Sequence, residues 1–499
     1  MTLRELALQA IDSTAFYPKS GQTRIRSMVE GRPDWLISRQ RAWGTPLAMF
    51  VDKTTGEVLR DEAVNARILE AVAAEGADAW FTRPVTDFLG GLDPANYEKI
   101  EDILDVWFDS GSTHAFVLEP RNESRSPADL YLEGTDQARG WFQSSLLESC
   151  GTRGRAPYKG VLTHGFVLDE HGEKMSKSKG NTTEPQAVTK ESGAEILRLW
   201  VAMSDYSEDL RIGKTILQTA IDSYRKLRNT IRYLLGALEG FAETERVGYE
   251  AMPPLERYVL HRLWALDGQV RRAYEQHRYD EVWRPVADFC AQALSALYFD
   301  VRKDCLYCDA PDAMRRRAAR TVMDAVFERL TVWLSPLTPF TMEEAWTTRF
   351  PDKGSNLLRV FPETPSEWEN QVEAERWANI QHVLAVVTGA LEVERREKRI
   401  GSALDANVEV SLSEAHLALF TGRDRSAGIQ ASVDPAEVFR TSQADLTTLE
   451  FETDGFSLAE YPGISARVFK AEGGKCARCW RILPEVKAEL CQRCEAVVG

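Results

Sequence analysis

Between residues 130 and 166 the chain reads LYLEG, then GWFQSSLLESC, then GVLTHGF. The first and last are short apolar runs bounded by turn residues, and the middle one has helical spacing. A strand, a helix and a strand at this separation make a βαβ unit, which commits this part of the chain to a parallel sheet. Residues 1–213 continue the alternation, with LAMFVD (47–52) as a further strand and Pro- and Gly-rich loops between elements. The N-terminal MTLRELALQAIDS is helical through Leu3, Leu6, Leu8 and Ile11. Glu5 and Asp12 make it too acidic for a transit peptide, and it has no apolar secretory core. Apolar runs such as VLAVV (383–387) fall far short of the ~20 residues a membrane helix needs, so the expected location is cytoplasmic.

At about Thr215 the texture changes. Residues 223–238, 255–276, 280–307 and 313–336 keep apolar side chains at three- and four-residue spacing, which predicts an antiparallel helical bundle. A fifth helix starts at Thr338–Pro339, with Thr341 and Glu344 as a capping box. After a Pro-rich link at 360–368, a helix over 371–399 would bury Trp377, Ile380, Leu384, Val387 and Leu391. Short strands are predicted at 407–412, 447–452 and 466–472. The expected domains are 1–213, 214–370 and 371–499, the last closing with a cysteine segment at about 475–499.

That segment holds four of the eight cysteines. Cys476 and Cys479, then Cys491 and Cys494, form two CxxC pairs on a short tether, a spacing that suits one structural Zn²⁺ in a closed tetrahedral shell. Four free thiols are the alternative. Trp480, beside the second cysteine, either packs over the knuckle or offers a stacking face to an RNA base, with Lys475, Arg478, Arg481, Lys487 and Arg493 around it. Cys305 and Cys308 form a third CxxC with no second pair nearby and are read as plain thiols.

The formal net charge of −15 argues against indiscriminate nucleic-acid binding, while local clusters decide specific contact. Three cationic clusters lie on helical stretches: Arg225, Lys226, Arg228 and Arg232; Arg315, Arg316, Arg317 and Arg320; Arg395, Arg396, Lys398 and Arg399. Each is a solvated helix face or a phosphate contact. A fourth concentration is different in kind. HGEKMSKSKGN (171–181) sets Lys174, Lys177 and Lys179 on one loop framed by Gly172 and Gly180, the composition of a mobile cationic arm.

Six stretches in order, WLISRQRAWG (35–44), LDVWFDSGSTH (104–114), LYLEGTDQARGWF (130–142), LTHGF (162–166), KMSKSKGN (174–181) and CARCW (476–480), resemble the bacterial-type isoleucyl-tRNA synthetases, a class I aminoacyl-tRNA synthetase family. The resemblance spans essentially the whole chain. It implies the second half of a Rossmann-type α/β catalytic domain, an all-α anticodon-binding bundle and a small α+β zinc-binding C-terminal domain. It implies ATP-dependent activation of L-isoleucine, with Mg²⁺, and transfer to tRNA(Ile). By resemblance, Lys174 and Lys177 are catalytic, and Lys177 is the principal ATP contact, while Lys179 is a flanking charge. Glu133, Gly134, Asp136, Gln137 and His164 would meet ATP or the adenylate, and Trp107 and Trp141 would wall the amino-acid pocket. Without the resemblance, Glu133 reads as a solvated loop residue, the two tryptophans as core, and His164 equally as a satisfied core histidine.

None of the seven histidines (114, 164, 171, 261, 277, 382 and 416) lies in the HIGH-type motif of class I enzymes. The chain is therefore expected to be a C-terminal portion of the enzyme. It would begin near the tail of the editing insertion and be inactive alone in adenylate formation. The alternatives are a non-catalytic tRNA-binding module and the complementing half of a split synthetase, whose partner would be an N-terminal half. A monomer is expected by resemblance.

Overall fold

In the computed structural model, which describes residues 1–422, 431–451 and 454–498, the chain forms two compact units. The first comprises residues 1–167 and 206–210, the second 168–205 and 211 onward. Among the described residues no helix is long and apolar enough to cross a membrane.

The first unit opens with α1 (Leu3–Asp12), whose N-terminus carries a complete capping box between Thr2 and Glu5. Strand β1 (Ala15–Tyr17) and helix α2 (Ser20–Glu30) follow. Helix α3 (Val106–Gly111), β2 (Tyr131–Gly134), α4 (Trp141–Arg153) and β3 (Gly160–His164) complete its functional part. The βαβ unit read from the sequence is present: β2 pairs parallel with β3, with Gly134 opposite His164. Strand β1 pairs parallel with the other edge of β3, so the order is β1–β3–β2. Ile11, Phe16, Ile25 and Val29 pack on Tyr131, Phe142, Leu146 and Val161 to make one core. Of the expected strand at 47–52, only Phe50–Asp52 forms, pairing with Tyr97–Lys99. It belongs to a satellite core of Phe50, Trp80 and Phe88.

The second unit begins with the lysine loop and α5 (Ala194–Met203), then α6 (Lys214–Ala237) and α7 (Pro254–Glu275). The helix expected over 280–307 is one continuous helical stretch in three parts. These are α8 (Tyr279–Asp288), a π-wound segment Phe289–Phe299, and α9 (Asp300–Cys308). Pro285, inside the first part, has no N–H to give the regular ladder. Helix α10 (Met314–Trp333) is buried around most of its circumference and forms the middle of the bundle. Helices α11 (Pro339–Arg349) and α12 (Gln371–Arg396) complete it. Trp377, Ile380, Val387 and Leu391 are buried as the spacing predicts, with Leu384 half-buried against the same core.

The capping box expected within α11 is not formed. The N-terminal N–H of Thr341 instead donates to Glu195 Oε1 at 2.9 Å, and the Thr341 hydroxyl bonds the other oxygen. Glu195 lies on α5, so the anion at the start of α11 comes from residues that the sequence groups with the sheet. Arg198, also on α5, donates to Pro336 O at 2.6 Å. These bonds, with Leu199 and Ala202 in the bundle core, explain why 168–205 compacts with the helices.

The C-terminal part holds a four-stranded sheet of β4 (Ala406–Ser411), β5 (Gln443–Thr447), β6 (Phe456–Ser457) and β7 (Ser465–Lys470), in the order β5–β4–β7–β6. The strand expected at 447–452 appears earlier, as β5, and Glu452 lies outside the described residues. Strands β8 (Gly474–Lys475) and β9 (Ile482–Leu483) make a ribbon before the final helix α13 (Gln492–Val498).

Candidate functional site

In the first unit, the carboxyl ends of two of the three parallel strands, β2 and β3, carry the expected adenylate contacts. Ligands in open parallel α/β sheets bind outside those ends. Strand β2 delivers Glu133 and Gly134, and a 3₁₀ turn over Thr135–Arg139 delivers Asp136 and Gln137. A side chain at Gly134 would meet Asp136 Oδ1 and lie 3.8 Å from His164 Cε1, so these residues share one corner. Gln137 is fixed at both ends, its Nε2 donating to Asp136 at 3.1 Å and its Oε1 accepting the Trp141 N–H at 3.2 Å. His164 Nδ1 pairs with the carbonyl of Gly165 at 2.8 Å. A cavity of about 170 Å³ lies alongside, lined by Phe16, Pro18, Gly21, Thr135, Thr163 and Ser207.

The two tryptophans have different settings. Trp141 stacks on buried Tyr131 with ring centroids 4.2 Å apart, which leaves it half-buried. Trp107 is 42% exposed and lies over Gly140, where a Cβ would come within 2.7 Å of the ring. Only a bare backbone at Gly140 lets the indole approach, a requirement that sequence reading missed. Asp105, also missed, is buried just ahead of Trp107 and accepts that residue's backbone N–H at 3.0 Å, the Trp35 indole N–H at 3.2 Å, and a bond from Arg39.

Behind α3 sits Glu148, whose Oε1 is buried without a hydrogen-bond partner and lies against the backbone of Gly111. Burial, and then the nearby charge of Asp109, pushes its carboxyl up to about 8. The folded chain therefore binds more protons here than the unfolded chain between about pH 4.5 and 8, and stability falls as pH rises through that window. Glu148→Gln is expected to match the parent near pH 5 and to exceed it at about pH 9, read as urea midpoints. A gap that does not widen with pH would refute the assignment.

In the second unit the lysine loop is stapled rather than loose. Asn181 Nδ2 donates to Asp169 Oδ2 at 2.7 Å, and Asn181 Oδ1 accepts the Ser176 N–H at 3.0 Å. Asp169 Oδ1 takes the N–H groups of His171 and Glu173 at 3.0 and 2.8 Å, and these bonds hold its carboxyl below the usual range. Gly172 and Gly180 supply the left-handed corners, at φ +85 and +67. Lys179 pairs with Glu173 at 3.1 Å. Among the described residues Lys174 and Lys177 have no carboxylate partner, and both ammonium groups are exposed.

The four C-terminal cysteines converge. Their sulfurs lie within 4.8 Å of one another, and Cys479 and Cys491 are 3.8 Å apart. A tetrahedral ion about 2.3 Å from each sulfur needs S–S edges of about 3.8 Å, so the cluster fits a metal. Cys491 N–H points at Cys476 Sγ at 3.4 Å. Burial opposes ionisation of the Cys476 thiol, but the N–H groups of Cys479, Cys491 and Arg478 outweigh it and bring the pKa below that of an ordinary thiol. Trp480, beside the second cysteine, is 62% exposed. Cys308 is buried in the same apolar cluster as the four cysteines.

The cationic clusters separate. Arg315 pairs with Asp309 and Glu437, and Arg317 and Arg320 bond the carbonyls of Glu245 and Glu239. Arg316 donates to Leu306 O. The guanidinium groups of this cluster are spent on carbonyls and carboxylates of the chain itself. Arg395 and Arg399 pair with neighbouring glutamates on an exposed turn. Arg225, Lys226 and Arg232 stand exposed along α6.

Residues 1–213 match the family described as tRNA synthetases class I (I, L, M and V), and residues 256–410 match the anticodon-binding domain of tRNA ligase. Two solved structures share the fold at a TM-score of 0.50. One is Mycobacterium tuberculosis methionyl-tRNA synthetase with methionyl-adenylate (18% identity, 72% of this chain and 65% of that one). The other is an Agrobacterium radiobacter K84 LeuRS with tRNA and LeuAMS (17% identity, 68% of this chain and 43% of that one). Fold and sequence together define a class I tRNA synthetase. Two relatives narrow the class: the isoleucine–tRNA ligase of Caulobacter vibrioides is 66% identical over 97% of this chain and 49% of its own length, and that of Brucella abortus biovar 1 is 53% identical over 98% and 49%. The chain belongs to the isoleucine–tRNA ligase family, and it spans about half the length of the curated relatives it matches.

Proposed function

We propose that this chain supplies the lysine-loop, anticodon-binding and metal-knuckle portion of an isoleucine–tRNA ligase. In the first step an oxygen of the isoleucine carboxylate attacks the α-phosphorus of ATP. The bond to the β-phosphate oxygen breaks, and Mg²⁺-bound pyrophosphate leaves. In the second, a hydroxyl of the terminal tRNA ribose attacks the carbonyl carbon and AMP leaves. Charge accumulates on the departing pyrophosphate, and exposed ammonium groups stabilise it more than they stabilise bound ATP. Lys177 and Lys174 are the groups for this task. Glu133, Asp136 and Gln137 orient the adenylate with His164, and Trp107 and Trp141 border the amino-acid side chain. Zn²⁺ would be held by Cys476, Cys479, Cys491 and Cys494 as a structural ion, since four thiolates leave no open position. Trp480 and the α6 cations would contact tRNA(Ile) by stacking and phosphate pairing.

The observation that carries this reading is the split among the three loop lysines, one neutralised by Glu173 and two left unpaired. The test is isoleucine-dependent ATP–pyrophosphate exchange, measured on the chain alone and with the N-terminal half of the Caulobacter relative supplied. Lys177→Ala is expected to lower exchange by about 10²–10³-fold and Lys179→Ala by only a few-fold. Equal losses would remove the assignment. The second reading, a tRNA-binding module without catalysis, is favoured by the exposed α6 cations. It predicts tRNA binding with no exchange under either condition.

A further inference from the structure

Helix α9 carries no basic residue in its last turn; the Asp309 N–H donates to Cys305 O at 3.1 Å and Arg316 to Leu306 O at 3.2 Å, which leaves the carbonyls of Tyr307 and Cys308. The metal knuckle caps these two. Arg478, between the cysteines of the first pair, donates Nη1 to Cys308 O at 2.7 Å and Nη2 to Tyr307 O at 3.1 Å. Arg493, between the cysteines of the second pair, donates to both Asp304 oxygens at 2.6 and 2.9 Å and reaches Asp309 Oδ1 at 3.3 Å. Each CxxC thus sends one guanidinium to the same helix end. Tyr307, 67% exposed there, borders a cavity of about 660 Å³ that Trp480 also lines.

We infer that Arg478 and Arg493 are positioning residues that make the end of α9, and the cavity beside it, depend on metal loading. The inference rests on the metal reading of the four cysteines. A guanidinium flanked by two ligating cysteines has its backbone direction set by the metal. Once the thiols are released, both loops relax and the carbonyls of Tyr307 and Cys308 lose their donors. The last turn of α9 then frays, as uncapped ends do. Linkage makes the effect reciprocal, so removing the cap weakens the hold on the metal by the same factor.

The test uses the whole chain loaded with zinc. Amide hydrogen exchange over 303–309 is followed before and after chelation, with α10 as the internal reference. Zinc affinity of the parent and of the Arg478→Ala/Arg493→Ala variant is measured by competition with a chromophoric chelator. Chelation is expected to speed exchange at 303–309 about tenfold relative to α10, and the variant to show the same increase with zinc bound while holding zinc about tenfold more weakly. A variant that retains no zinc at all is the strong limit of that coupling, and Arg478→Lys should recover part of it. Exchange indifferent to chelation, or a double variant with parental exchange and parental zinc affinity, overturns the inference. A parent chain that binds no zinc would instead overturn the metal reading, and the inference with it.

Discussion

Replacing Arg302 by alanine is expected to remove about 3–5 kcal/mol of stability from the second unit. Arg302 is 3% exposed. Its Nε and Nη2 each donate to Glu256 at 2.7 Å, and its Nη1 donates to Glu437 at 2.6 Å. Burial works against the guanidinium charge, and the two glutamates more than offset it, so the group stays ionised. Glu256 is 0% exposed, and without Arg302 its remaining side-chain donor is the Tyr298 hydroxyl at 3.1 Å. The loss therefore comes mainly from a carboxylate stranded in the bundle core, not from the missing attraction itself. Urea denaturation followed by far-UV circular dichroism measures it. The paired change Arg302→Met with Glu256→Leu should recover most of the loss, because it removes both charges. If the single variant denatured within about 1 kcal/mol of the parent, the pair would not be holding α7 to α9.

The second large effect concerns Cys491. Cys491→Ser is expected to reduce bound zinc from one per chain to almost none, and to make residues 474–498 readily cleaved by protease. Structural zinc sites contribute about 10–16 kcal/mol of binding free energy in small domains, and among the described residues the knuckle's regular strand pairing is the two-residue ribbon β8–β9. The apolar cluster around it is small: among the described residues Val486 is its one buried aliphatic side chain, with Leu483 and Leu490 partly buried against it. Its side-chain anchors, Arg478 and Arg493 on α9 and Arg481 on Ser442 O, all leave from the loops that the four cysteines shape, so losing the metal loosens them together. Zinc retained at parental stoichiometry would show that three sulfurs suffice and that the fourth is packing.

The parts legible in the sequence are those with local signatures. The βαβ unit announces itself because an apolar run, a helical period and a second run follow in order, and the bundle helices do so because their buried faces repeat every three or four residues. The cysteine cluster is legible because two residues between ligands is itself the geometry. Strand β1 is not, since three residues of AFY carry no alternation to detect. The Asp169–Asn181 staple spans a gap with no period. The internal pairing of Arg315, Arg317 and Arg320 was also hidden, because a run of arginines looks alike whether its partners are phosphates or carbonyls from a distant loop. Gly140 falls in the same class: only the approach of Trp107 shows what the missing side chain is for.

Glu195 has a consequence for how the molecule can be divided. The natural place to cut, judged by texture, is residue 213, where alternating elements give way to helices. A polypeptide beginning there would contain every bundle helix and still lack the carboxylate that receives the Thr341 N–H, 146 positions along the chain. The seam visible in the amino-acid string and the seam in the folded object are about 45 residues apart, 213 against 167/168. A piece cut at the second seam keeps Glu195 together with the Thr341 N–H it serves.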